Sequence, residues 1–182
     1  MKVAILFTCL LVSPLCLSNE LSLHSTSIAV NKWAANINCE NLHDKQHRQA
    51  AIEAINEIRR HPQICGQLVY APASPLSWNN NLEKSALKHA RSIASRKWLS
   101  HLDGNGFSLR QRLNLSGYNG IGGGENLASG QNNLAKALMN WLTLSTTHCD
   151  NLMHAKYQDY AVSCVRDPET RRPYWVQHFG NH

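Results

Sequence analysis

The chain has 182 residues, enough for one domain with a sizeable core, and a formal net charge of +6. The positive charge is spread along the chain. Lys84, Lys88 and Arg91 recur at helical spacing opposite an apolar stripe, which is typical of a solvated helix face. Because no aromatic residues interleave with the cations, the pattern argues against a protein that binds nucleic acid.

The first 18 residues resemble a secretory signal peptide. Lys2 precedes an apolar run, and the small Ser18, with Cys16 two places earlier, predicts cleavage near Ser18–Asn19. A membrane anchor is the alternative, but the run is shorter than the roughly 20 residues that span a bilayer and is broken by Pro14. We therefore expect a secreted protein, extracellular or periplasmic, with no transmembrane segment once the signal is removed.

Residues 19–44 are polar and aperiodic, so we expect a leader without regular structure that can be disordered. Trp33 and Cys39 are its predicted anchors. The predicted folded domain covers residues 45–182. Asp44 is the expected N-cap of its first helix, and Pro62 ends that helix. One face of the helix carries the apolar residues Ala51, Ile52, Ile55 and Ile58.

Three further helices and a hairpin follow in the pattern. Asn80 or Asn81 is expected to cap a second helix, in which His89 lies on the apolar side as a hydrogen-bonded core histidine. A short helix is predicted over 108–114, a strand over 125–129, and a third long helix after Asn133. The alternating segments 160–165 and 174–179 predict an antiparallel hairpin. Helices first and a hairpin last indicate an α+β fold.

Removal of the signal peptide leaves four cysteines: Cys39, Cys65, Cys149 and Cys164. In an exported chain these predict two disulfides, with three possible pairings. Proximity in sequence favours Cys39–Cys65 and Cys149–Cys164. Buried free thiols are the alternative.

His101, Glu125 and His148 lie in separate segments, each next to turn or cap residues. Two histidines and one carboxylate are the minimum for a metal site with an open position, or for acid/base chemistry. A polar network that holds a cleft together is the alternative. Cys149 is a poor candidate nucleophile, because its side chain diverges from that of His148 on a helix and it has a plausible disulfide partner.

A collinear set of motifs between about Gln49 and Gly180 resembles the CAP superfamily, the SCP-like family of cysteine-rich secretory proteins, antigen 5 and pathogenesis-related proteins of class 1. The motifs are INEIRR, PLSWNNNLEKSALKHA, LSHLDGNGFSLRQRL, SGY, GENLASG, a tryptophan followed by STTHCDN, AVSCV and YWVQHFG. The resemblance implies an α-β-α sandwich with a small antiparallel sheet between helical layers, in agreement with the α+β prediction.

In that family a cleft carries two histidines and two acids, and some members bind a divalent metal such as zinc there. His101 matches the first histidine, Glu125 the acid of the GEN motif, and His148 the second histidine. At the second acid this chain has Leu144 followed by Ser145, which resembles the shorter bacterial-type branch. The resemblance thus implies a cleft of His101, Glu125, Ser145 and His148.

The remaining matched positions, Arg112, Asn126 and Asn151, are expected to support the loops around the cleft. Two functions are compatible with the pattern. One is a binding module for an extracellular protein, lipid or small ligand. The other is a metal-dependent protease or esterase, in which His101, His148 and Glu125 hold Zn²⁺ or another divalent cation that activates water. The missing second acid favours the binding module, since Glu125 is then the one candidate base.

Overall fold

A computed structural model describes the backbone of residues 14–182 and the side chains from residue 22 onward. Most of the predicted signal peptide lies outside this range and stays a prediction. The helices are α1 (Pro14–Ala34), α2 (Lys45–Arg60), α3 (Asn80–Arg96), α4 (Leu109–Leu115), α5 (Leu134–Thr143) and α6 (Thr146–Met153). The strands are β1 (Gln63–Cys65), β2 (Leu68–Tyr70), β3 (Ser77–Trp78), β4 (Gly122–Ser129), β5 (Asp159–Arg166) and β6 (Pro173–Asn181).

A four-stranded sheet of order β3-β5-β6-β4 forms the middle of the domain. The predicted hairpin of β5 and β6 is present, and β4 joins it antiparallel, whereas β3 adds a short parallel edge to β5. The pairing sets Glu125 opposite His178 and Asn126 opposite Gln177. Because successive side chains of a strand point to opposite faces, the first pair lies on one face of the sheet and the second pair on the other.

Helices cover both faces of this sheet. On one face, α3 packs its buried Ala86, Ala90 and Ile93 against Leu127 and Val176. On the other face lies the larger core, which α1, α2, α5 and α6 build around Trp141, Tyr160, Trp175 and Phe179. The α+β prediction, with an α-β-α sandwich, is therefore confirmed.

Local capping signals place the helix ends. Asp44 is the N-cap residue of α2, as predicted, but its side chain makes no capping hydrogen bond. Asn133, predicted to begin the third long helix, is the N-cap of α5 and accepts from the N–H of Lys136. The cap of α3 is instead Asn79, one residue before the predicted pair, and its Oδ1 accepts from the backbone N–H groups of Asn81 at 2.9 Å and Leu82 at 3.3 Å. Three successive asparagines make the capping signal ambiguous to within a turn.

The segment predicted as a loose leader is largely helical. Helix α1 runs to Ala34 and packs against α2 and α5, with Thr26, Val30 and Ala34 buried. Its apolar residues are too sparse for a clear amphipathic pattern, so tertiary packing supplies the stability that local periodicity does not show. Over residues 14–182, the structure contains no helix that combines the length and apolarity needed to cross a membrane.

Two disulfides are present, as predicted, but the predicted pairing is wrong. Cys39 bonds to Cys164 and Cys65 to Cys149, with Cα–Cα distances of 4.7 and 5.4 Å. The partners are 125 and 84 residues apart in sequence. The first bridge ties the segment after α1 to β5, and the second ties β1 to α6. Chain proximity misled the prediction, because the sheet brings distant segments together.

Candidate functional site

Glu125 on β4 is the centre of a buried polar cluster on the α3 face of the sheet. Its Oε1 lies 2.7 Å from Nδ1 of His101, and its Oε2 lies 2.8 Å from Nε2 of His178. Nη2 of Arg112 also donates to Oε2. Both carboxylate oxygens are therefore engaged by cationic or hydrogen-bonding partners.

These partners set the ionisation of Glu125. Burial pushes the pKa of this carboxyl upward, but the hydrogen bonds from His101 and His178 and the positive charge of Arg112 hold its pKa well below the ordinary value. The carboxylate is consequently ionised at neutral pH. An ionised group held this firmly is a poor proton acceptor.

Arg112 joins the cluster to the loop that carries His101. It lies on α4, where Oε1 of Gln111 accepts from both the N–H and the hydroxyl of Ser108 at the start of the helix. Nη1 of Arg112 donates to the carbonyls of His101 at 2.7 Å and Phe107 at 2.8 Å. One buried guanidinium thus positions both the carboxylate and the loop after α3.

His101 is the exposed member of the cluster, with 65% of its side chain accessible. Its hydrogen bond to Glu125 raises the pKa of the imidazole above the ordinary value, against the opposing effect of partial burial. No described residue hydrogen-bonds to Nε2. Since Nδ1 is occupied, Nε2 is the ring nitrogen that can meet a ligand.

His148 approaches from α6, on the other side of β4. Ser145 is the N-cap of that helix, and its Oγ accepts from the N–H of His148 at 3.4 Å. Burial lowers the pKa of His148, and the neighbouring charge of His101 lowers that pKa further. Ser145 therefore shapes the start of the helix that carries His148, and among the described residues no hydrogen bond or ion pair joins the His148 ring to His101 or Glu125.

An amide network attaches α6 to the sheet. Nδ2 of Asn126 donates to the carbonyl of His148 at 3.1 Å and to Oε1 of Gln177 at 2.8 Å. Nδ2 of Asn151 donates to Oδ1 of Asn126 at 2.9 Å and to the carbonyl of Glu125 at 3.3 Å. The two asparagines singled out in the sequence, one on β4 and one on α6, thus join the strand to the helix that carries His148.

Sequence reasoning missed His178, which is fully buried and bonded directly to Glu125. A signal existed, because strand alternation puts residue 178 on the same inward face as Tyr174 and Val176, and a polar side chain there needs a partner. His89 has the predicted character of a core histidine: its Nε2 lies 2.9 Å from the carbonyl of Ser100. Burial lowers the pKa of His89 to about 4, so this ring is neutral at neutral pH.

The sequence model of the CAP family, described as the cysteine-rich secretory protein family, matches residues 52–179. The chain belongs to this family. The resemblance seen in the motifs is thereby confirmed, and the CAP match contains every residue of the Glu125 cluster together with His148. No curated protein sequence matches the chain.

Solved structures support the same CAP fold. An extracellular protein containing an SCP domain from Bacillus anthracis superposes with a TM-score of 0.61 at 24% identity, over 74% of this chain and 40% of that one. An outer surface protein from Borrelia burgdorferi superposes with a TM-score of 0.62 at 21% identity, over 76% of this chain and 94% of that one. This chain therefore spans less than half of the Bacillus protein, and identities this low bear on the fold alone.

In the CAP family some members bind a divalent metal at the positions that His101, Glu125 and His148 occupy in this chain. Among the side chains of residues 22–182, no group of three or more His, Cys, Asp or Glu residues is arranged to hold a metal ion. Both oxygens of Glu125 are already engaged, which leaves His101 and His148 as donors and Glu125 as the group that orients the His101 ring. A carboxylate behind a histidine is a common outer-shell arrangement at metal sites.

Proposed function

We propose that this CAP protein is a secreted binding module that engages an extracellular ligand through the cleft between His101 and His148, without turnover. The observation that carries the proposal is the commitment of Glu125 to two buried partners, Arg112 and His178, and to the exposed His101. A carboxylate used in this way orients the imidazole of His101 and is not free to take a proton. The ring then serves as a fixed recognition group.

The loop that carries His101 supports a binding role. It also exposes Trp98, Leu99 and Leu102, whose accessible fractions are 69%, 39% and 51%. Adjacent exposed apolar side chains are characteristic of interaction surfaces. Two buried side chains hold the loop: Arg112 donates to the carbonyl of His101, and His89 contacts the carbonyl of Ser100. A loop ordered before binding loses less entropy when a ligand arrives.

Secretion is part of the proposal. Two disulfides favour an oxidising compartment, in which such bonds persist. The Bacillus neighbour is described as extracellular and the Borrelia neighbour as an outer surface protein. We expect the full chain to be exported and a chain without residues 1–18 to stay in the cytoplasm. Export of the truncated chain would contradict this part.

Enzymatic turnover is tested with a peptide and ester library in the presence and absence of Zn²⁺. We expect no hydrolysis that depends on the cleft. The decisive comparison is His101→Ala against His24→Ala, an exposed histidine on α1. Cleavage that is lost in the first variant and kept in the second would replace the binding module with the hydrolase.

A divalent cation such as Zn²⁺ is a proposed cofactor of this module, held by the two imidazoles of His101 and His148. Bound there, it would supply a Lewis-acidic contact for a ligand oxygen or nitrogen. Calorimetric titration should show binding at least tenfold weaker in His148→Ala and unchanged in His24→Ala. Equal affinity in all three proteins, or binding only in the millimolar range, would refute the cation as a cofactor and leave the proposed binding module intact.

A further inference from the structure

A second pocket, of about 300 Å³, opens between α3 and α4. Its walls include Lys84, Ser85 and Lys88 from α3, Asp103 from the loop that follows, and Arg112 and Ser116 from α4 and its C-terminal end. Neither the sequence motifs nor the cleft assign a role to this pocket. Its lining combines cations, hydrogen-bond donors and one carboxylate with an apolar patch at Leu115.

Two exposed ammonium groups stand at this pocket without an ion-pair partner within 4.0 Å among the described side chains. Lys84 and Lys88 are four residues apart, one turn of α3, so their side chains leave the same face of the helix. Among the described side chains, no carboxylate oxygen lies within 4.0 Å of either Nζ, and Lys84 contacts Oδ1 of Asn81 at 3.4 Å. Two unneutralised cations beside a concave surface attract an anion.

The walls also hold donors that the protein leaves unused. Ser85 is 2% exposed, and its Oγ has no hydrogen-bond partner among the described residues. The same is true of Nε of Arg112, which is 3% exposed. Buried polar atoms without partners are rare in folded proteins. Both atoms belong to residues of the pocket wall, so unpartnered donors lie within the wall behind the two ammonium groups.

Asp103 restricts which anion fits. It is 6% exposed, and its Oδ1 accepts from the backbone N–H groups of Asn105 at 2.8 Å and Phe107 at 3.0 Å. No described residue donates to Oδ2. A carboxylate oxygen repels a fully ionised anion but accepts a hydrogen bond from an anion that keeps an O–H. Hydrogen phosphate keeps one near neutral pH, whereas sulfate has none.

We propose that the pocket between α3 and α4 binds a phosphate group that retains a proton. Lys84 and Lys88 balance its charge, the unpartnered donors of Ser85 and Arg112 lie in the wall behind them, and Asp103 accepts its O–H. The pocket lies between α3 and α4, and the proposal does not depend on what the His101–His148 cleft binds.

The first experiment measures inorganic phosphate and sulfate binding by calorimetry at pH 7 and constant ionic strength. We compare the mature protein with Lys84→Ala/Lys88→Ala and with a charge-matched control, Lys45→Ala/Lys156→Ala, which removes two exposed lysines elsewhere. Phosphate should bind the unmodified protein at least tenfold more tightly than sulfate. The first variant should lose at least tenfold in phosphate affinity, and the control should stay within twofold. Equal losses in both variants, or equal binding of the two anions, would overturn the proposal.

Asp103→Asn tests the selectivity separately from folding, because an asparagine Oδ1 can still accept from the two backbone N–H groups. The phosphate-to-sulfate affinity ratio should fall towards one in this variant, and an unchanged ratio would refute the role of the carboxylate.

Glycerol 3-phosphate distinguishes free phosphate from an esterified headgroup. An ester has lost most of its second proton at pH 7, since that pKa is about 6. Weaker binding than inorganic phosphate at pH 7 supports free phosphate as the ligand. Tighter binding at pH 7 would overturn the requirement for a retained proton.

Discussion

Glu125 on β4 and His178 on β6 are paired in register, and Nε2 of the histidine lies 2.8 Å from Oε2 of the carboxylate. This contact lies inside the sandwich, beneath α3, where both side chains are buried. Together with the contact from Arg112, it makes the acid of the GEN motif an internal anchor. The exposed His101 is attached to the outer side of that anchor.

Removal of the charge at the centre should be costly. Glu125→Gln leaves the guanidinium of Arg112 buried without its counter-ion, and we expect a loss of about 3–5 kcal/mol in the free energy of unfolding. Urea denaturation measures the change. Glu169→Gln is the control, because that exposed carboxylate pairs with Lys97 at the surface and its loss should cost less than about 1 kcal/mol. Equal destabilisation in the two variants would refute the anchor.

His89 should make the protein less stable as the pH falls. Its pKa is lowered to about 4 in the folded state from an ordinary value of 6.5, mainly by burial. Between these values the unfolded chain binds the proton and the folded chain does not, so stability rises with pH across this window and is lost on acidification. At about 1.4 kcal/mol per pKa unit, the loss from pH 6.5 to 4 is roughly 3 kcal/mol.

Stability curves for the unmodified protein and His89→Gln from pH 7 to pH 4 test this expectation. The variant lacks the titrating ring, so its slope with pH should be flatter over the same window. Glu125 contributes at a lower pH. Its depressed pKa stabilises the folded state above pH 4.5, the ordinary value for this carboxyl, and that stabilisation is lost as the pH falls further. Parallel curves between pH 6.5 and 4 would show that His89 is not the group responsible.

The disulfide pairing can be read chemically. Digestion without reduction should release one linked peptide pair containing Cys39 and Cys164 and another containing Cys65 and Cys149. Mass spectrometry that instead finds Cys39 with Cys65 would contradict the fold around α1. Replacing Cys65 and Cys149 together with serine should cost about 2–5 kcal/mol, because the unfolded chain loses a long-range restraint.

Gly124 should be intolerant of a side chain. A Cβ atom there would come within 2.5 Å of Oη of Tyr157 and 2.8 Å of Oδ1 of Asn151, next to the network that attaches α6 to β4. We expect Gly124→Ala to lower the free energy of unfolding by about 1–3 kcal/mol through overpacking. Gly104→Ala is the matched control, since its Cβ would meet only Oγ of Ser92 at 3.5 Å. A similar, small effect of both substitutions would argue against crowding at Gly124.

Local rules account for most of the elements that were predicted correctly. The caps Asp44 and Asn133 and the apolar stripe of α2 act within a few residues, so they can be read from neighbouring positions in the chain. The hairpin of β5 and β6 is likewise signalled by alternation around Asp167 and Pro168.

The site was predictable only in part, for a physical reason. His101, Glu125 and His148 could be selected because each stands out within its own segment. The partnership of Glu125 with His178 depends on strand register, and the saturation of both carboxylate oxygens depends on α4 bringing Arg112 against β4. Neither relationship can be recognised from a pattern of neighbouring residues in the sequence.

By itself, the sequence determined helices α2, α3, α4 and α5, the hairpin, the α+β class and the number of disulfides, because caps, periodicity and cysteine count are properties of short stretches or of composition. Tertiary structure alone decided that Cys39 meets Cys164, that the polar leader docks as a helix, and that Glu125 faces inward as an anchor. These depend on contacts between residues dozens of positions apart. Their energies arise only when the sheet and its helical layers come together.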